Sequence, residues 1–168
     1  MGICEVLIPL AKSRSPGVQA NSGAALANLS SRGRRVASHS YLAFNEVWDK
    51  PEGGMHHYLY QFLNKSDATF QYTALWTIVQ LLESGDPRLI NKIRSSPLLV
   101  PHIRKFAASD VSTPSSSIGV PRSRGPDSDQ KMDVVGEEQG EIQLLSRKAL
   151  EFIDGDTDLS TTVGVTAS

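Results

Sequence analysis

Apolar residues recur at helical spacing through most of the first two-thirds of the chain, and polar or Gly/Pro-containing breaks divide them into separate helices. Val6, Leu7, Leu10 and Ala11 make a short stripe that Ser13, Ser15, Pro16 and Gly17 interrupt. Pro16 suits the first turn of the helix that follows, in which Val18, Ala25, Leu26 and Leu29 share a face. The small residues 23–25 admit a close neighbouring helix, and the run 32–35 with Gly33 ends this one. Tyr41, Leu42, Phe44, Val47 and Trp48 predict a short helix over 39–49, stopped by Pro51 and the glycines at 53 and 54. Tyr58, Leu59, Phe62 and Leu63 predict the next. Ser66 and Asp67 then offer a cap to a long helix whose stripe is Phe70, Ala74, Thr77, Ile78 and Leu81.

These elements repeat. Displacing the chain by 52 residues lays Leu7 on Leu59, Leu10 on Phe62, Ser15 on Asp67, Val18 on Phe70, Leu26 on Ile78 and Leu29 on Leu81. Short helix, polar turn and long helix occur twice in the same order, which is the signature of an α-solenoid. The spacing exceeds the roughly 40–47 residues of armadillo and HEAT units, and a loop inserted near 32–38 or 50–54 accounts for the excess. Helices over 87–94 and 98–107 follow without a third-repeat pattern and read as a C-terminal cap. The expected fold is therefore all-α: an armadillo-type solenoid end of about two repeats plus cap helices over 4–107, with a disordered acidic tail.

Composition separates that tail from the rest. Every aromatic residue but Phe152 lies between Tyr41 and Phe106, and half of residues 108–131 are Ser, Pro or Gly. Such a segment cannot offset the entropy of ordering, so 108–136 is expected to be a disordered linker and 155–168 a disordered end. Between them, 137–154 regains helical spacing. Ile142, Leu145, Ala149 and Phe152 form the face of an isolated amphipathic helix that reads as a docking element. Residues 1–107 carry 12 Lys or Arg against 7 Asp or Glu, whereas 108–168 carry 5 against 11. That opposition favours the helix lying back on the solenoid in a minor population and competing with partners.

Candidate chemistry is sparse. Asn28 falls on Gln80 in the repeat register, and Ala24 on Trp76, all off the apolar stripes. Side-chain amides both donate and accept hydrogen bonds, so Asn28 and Gln80 can clamp an extended peptide backbone, with the Trp76 indole walling a side-chain pocket. Gly2 with Cys4 resembles a lipidation start, although Val6 stands where the myristoylation pattern wants Ser or Thr. The four histidines lack partners at metal spacing, and no Walker loop, G-x-S-x-G or H-E-x-x-H is present. The residues thus predict no enzyme, no cofactor and no metal. The basic charges are scattered, which favours protein partners over nucleic acid. With a single cysteine, an internal disulfide is excluded.

Several longer strings carry a resemblance to a known family: Val-Leu-Ile-Pro-Leu at 6–10, Ala-Ala-Leu-Ala-Asn-Leu at 24–29, the strings at 46–51 and 62–70, and Ala74-Leu-Trp-Thr-Ile-Val-Gln-Leu-Leu-Glu-Ser84. Residues 4–107 resemble the C-terminal end of the fungal vacuolar armadillo-repeat family, the vacuolar protein 8 family, and 141–153 does so more weakly. Members of that family are much longer and begin with a lipidated glycine, so the resemblance implies a truncated or fragmentary member. It further implies a non-enzymatic scaffold on the cytoplasmic face of the vacuole membrane, held there by a lipid anchor or a partner, and a cytosolic chain without one. Adaptors for vacuole inheritance, nucleus–vacuole contact and cytoplasm-to-vacuole targeting or autophagy are the implied partners. A purely structural solenoid remnant is the alternative. Two repeats alone are expected to be marginal or to self-associate, because about three are usually needed.

Overall fold

Capping and proline placement set where the helices begin. The computed structural model describes residues 2–31, 39–51, 53–109 and 130–155, which form helices and the turns between them. Among the described residues the helices are α1 (Ile3–Ala11), α2 (Pro16–Ser31), α3 (His39–Glu46), α4 (Met55–Leu63), α5 (Ala68–Glu83), α6 (Pro87–Arg94), α7 (Leu99–Ala108) and α8 (Gln130–Asp154). Pro16 and Pro87 open α2 and α6. The Asp67 carboxylate accepts from Thr69 N–H at 2.9 Å, and Asp86 accepts from Arg88 and Leu89 N–H at 2.9 and 3.1 Å, so α5 and α6 start where orphan donors find an acceptor.

The helices stack in layers. α2 packs along α5 and α5 along α8, while α1, α4 and α7 each lie against the long helix that follows them. The short α3 and α6 pair with one another beside this stack. Tyr58 and Phe62 meet edge-on at 4.5 Å, Phe62 and Phe70 at 4.9 Å, and Leu26, Phe44, Leu59, Ile78 and Leu81 close a continuous core around them. α2 comes close to α4 at Gly23, where a Cβ would stand 2.5 Å from the Phe62 ring. The Lys12 ammonium donates to the Gly53 carbonyl and Lys50 pairs with Glu5, which pins α1 to the turn before α4.

The repeat register also explains the exposed end. Ile3, Val6, Leu10 and Val18 lie open on α1 and α2, yet their counterparts 52 residues on, Met55, Tyr58, Phe62 and Phe70, are buried. In the second layer those positions are covered by the first. Among the described residues no layer covers the first.

The last helix differs from the sequence reading. Expected as an isolated element from residue 137, α8 begins at Gln130 and packs along both α5 and α7. Ile142, Ser146 and Ala149 are buried there, with Leu145 and Phe152 half-buried. Polar contacts hold its C-terminal half: Lys148 meets Glu83 at 2.6 Å, Arg104 meets Asp154 at 2.7 Å, and the Arg94 guanidinium donates to the Phe152 carbonyl. Three long helices therefore stand side by side, because the stripe on α8 finds the open side of α5. Residues 32–38, 110–129 and 156–168, which include Arg32, Arg34, Arg35 and most of the expected linker and tail, lie outside the described residues.

Candidate partner-binding face

A row of exposed or half-buried positions runs along each long helix on the side away from the core. On α2 it comprises residues 17, 21, 24, 28 and 31, at i, i+4, i+7, i+11 and i+14, all exposed. The same register on α5 gives Thr69, Thr73, Trp76, Gln80 and Glu83, of which Thr69 is exposed and the others half-buried. Asn28 and Gln80 thus occupy equivalent turns of neighbouring helices, and Trp76 lies one turn before Gln80.

The two amides have different surroundings. Asn28 is exposed and borders a shallow hollow of about 580 Å³ with Ile3, Leu7, Ala25, Leu29 and Ser31 at the open end of the stack. Gln80 donates from Nε2 to Glu83 at 3.3 Å, and Glu83 in turn meets Lys148 of α8. Gln80 therefore turns its amide nitrogen toward Glu83 and keeps its carbonyl oxygen as an acceptor. Sequence reasoning missed Glu83, Leu144 and Lys148. The helical spacing of 137, 141, 144, 148 and 151, all exposed on α8, was the signal available.

Gly2 is the exposed N-cap of α1, and its N–H donates to Glu5 at 2.9 Å. A hydrogen bond from Lys50 holds the Glu5 carboxyl below its ordinary range. Cys4 is buried in the core, and burial pushes its thiol up, away from the reactive thiolate. His56 stacks on Trp48 at 5.9 Å with Nε2 2.7 Å from Ser96 Oγ, and burial lowers its pKa against a smaller opposing effect of Asp49. His102 lies edge-on to Tyr60 at 5.4 Å. Among the described residues, no group of three His, Cys, Asp or Glu side chains is placed to hold a metal ion, and no helix is long and apolar enough to cross a membrane.

Over 94% of its length the chain is 42% identical to Vacuolar protein 8 of Schizosaccharomyces pombe. The chain is similar to part of Vacuolar protein 8. It is also 39% identical to Vacuolar protein 8 of Gibberella zeae over 91% of the chain, and 38% identical to that of Saccharomyces cerevisiae over 62%. It spans about a quarter or less of these relatives, covering 24%, 23% and 17% of Vacuolar protein 8 in the three organisms. No family model matches the chain. The match to the Schizosaccharomyces pombe Vacuolar protein 8 extends over 157 residues, so it includes α8 as well as the region whose motifs carry the resemblance.

Proposed function

We propose that the chain is a non-enzymatic binding module that holds an extended segment of a protein partner across the α2–α5 face. Asn28 and Gln80 clamp the partner's backbone, and Trp76 walls a pocket for one of its side chains. The observation that carries this reading is the common register of the two amides on adjacent, packed helices. Similarity to Vacuolar protein 8 supports a scaffold at the cytoplasmic face of the vacuole, reached through a lipid anchor or a partner. Adaptors of vacuole inheritance, nucleus–vacuole contact and cytoplasm-to-vacuole targeting are the partners this proposal names. No cofactor is required.

The test is selection of a phage-displayed random peptide library on the full chain, followed by affinity measurement on the two amide variants. Asn28→Ala and Gln80→Ala should each weaken the selected peptides by about 1–3 kcal/mol, the cost of leaving a buried polar group without its partner, with helicity unchanged. Equal affinities for wild type and both variants would refute the clamp.

A second reading is favoured by the open α1–α2 end, where Ile3 is 61% exposed and Val6 46%. There the chain acts as one layer of a longer stack and associates through apolar area. Concentration-dependent association by sedimentation is expected, and Ile3→Asp with Val6→Asp should abolish it. A wild-type chain that stays monomeric across the accessible concentration range contradicts that association.

A further inference from the structure

The row along α2 and α5 does not stop at α5, and its continuation on α8 gives the partner a chemistry; the inference rests on the binding face proposed above. Ile142, Ser146 and Ala149 of α8 have the spacing of the buried Phe70, Ala74 and Thr77 and of the buried Ala74, Ile78 and Leu81 of α5, and the Lys148–Glu83 contact lies nearer the second match. In that register Leu144 corresponds to Trp76, Lys148 to Gln80 and Glu141 to Thr73. The Lys148–Glu83 pair agrees with it to within a turn, since Glu83 lies three residues beyond Gln80.

Leu144 is 68% exposed, more than any other large apolar side chain among the described residues. It contributes little to holding α8 in place, which Ile142 and Ala149 do from the opposite side. Packed helices stand about 8–10 Å apart, and α5 packs along α8, so the half-buried Trp76 and the exposed Leu144 stand on neighbouring helices one interhelix step apart. Toward the N-terminus of α8 the same row presents Glu141 and Glu137, both exposed, beside the uncharged Thr73 and Thr69 of α5. Lys148, the cation on this row, is already engaged by Glu83, and Arg147 falls on another side of α8, at the position corresponding to the buried Val79. This stretch of the row therefore carries apolar side chains with unneutralised carboxylates beside them.

We propose that α8 supplies a third rung of the binding face. Trp76 and Leu144 receive a large apolar side chain, and Glu137 and Glu141 receive a basic one. The partner is an extended peptide carrying Lys or Arg within about three positions of an aromatic or branched aliphatic residue, the separation that one turn of helix and one interhelix step span in extended chain. Lys148 acts as a positioning residue, holding Glu83 so that Gln80 keeps its carbonyl oxygen toward the partner's N–H groups.

The experiment uses the full chain and a positional-scanning library of synthetic peptides of about ten residues, read by fluorescence anisotropy. Peptides with the basic–apolar pair should bind best. Leu144→Ser should weaken them about fivefold or more, and Glu141→Lys should weaken them similarly and turn the charge preference toward acidic peptides. Both positions are exposed, so wild-type helicity is expected in each variant and is checked by circular dichroism. If Asn28→Ala and Gln80→Ala weaken binding while Leu144→Ser and Glu141→Lys do not, the third rung is wrong and the α2–α5 face stands. A loss at only one of the two α8 positions overturns the basic–apolar assignment. Should no peptide bind, or none respond to any of the four variants, both readings fall.

Discussion

Ile142→Asp should unseat the last layer and cost the chain about 3 kcal/mol or more. Ile142 is 1% exposed and lies on the side of α8 that packs on α5 and α7. Removing the isoleucine forfeits about 1.5–3 kcal/mol of apolar burial, and burying a carboxylate in its place costs further. Undocking relieves that cost but opens the apolar side of α5 to water, so aggregation should accompany the loss. A drop in the urea midpoint and in helicity is the expected result. Leu144→Asp, two residues away but 68% exposed, should stay within about 0.5 kcal/mol of wild type. Equal stability of the two variants would show that α8 does not stabilise the stack.

Gly54→Ala is expected to be nearly as damaging for a different reason. Gly54 has φ −78°, which any residue adopts, so its need for glycine is purely one of space. An added Cβ would lie 2.0 Å from the Val47 carbonyl oxygen and 2.5 Å from that of Trp48. Those same oxygens accept from Met55 and His56 N–H at 2.9 and 3.2 Å, which ties the end of the preceding segment to the first turn of α4. Backbone cannot rotate aside as a side chain can. The turn must open, and overpacking together with two weakened hydrogen bonds amounts to about 3 kcal/mol. Gly17→Ala makes the contrast, because nothing lies within 4 Å of its Cβ position and it sits in the first turn of α2; it should be neutral or slightly stabilising. Thermal midpoints of the two variants that coincide would remove the steric argument.

The parts of the fold that were legible are those whose spacing repeats. Two consecutive layers share one displacement, so Leu26 over Ile78 and Asn28 over Gln80 could be aligned without knowing what packs on what. The third layer escaped because residues 109–129 come between α7 and α8, and the displacement from Gln80 to Lys148 is longer than that from Asn28 to Gln80. Its stripe was visible in Ile142, Leu145, Ala149 and Phe152, but an apolar stripe says that a helix docks and not where. The same break hid the continuation of the row along α2 and α5. Glu83 and Lys148 meet across helices whose sequence spacing departs from the repeat, and only packing reveals the pair. Burial of Cys4 was likewise out of reach, since a small side chain at a helix start fits core and surface equally well.

In a stack of three long helices, the middle one belongs to both interfaces. α5 contacts α2 on one side and α8 on the other, and it carries Ala74, Leu75, Ile78, Val79, Leu81 and Leu82, all buried. When each layer is coupled only to its nearest neighbours, stability is divided among interfaces and not spread evenly along the chain. Damage confined to α2 or α8 uncouples one boundary and leaves a two-layer remainder, whereas damage in α5 separates the outer layers from each other. The cooperativity of the whole unit is thus concentrated in the 16 residues of α5, and its two flanks open more readily than its centre.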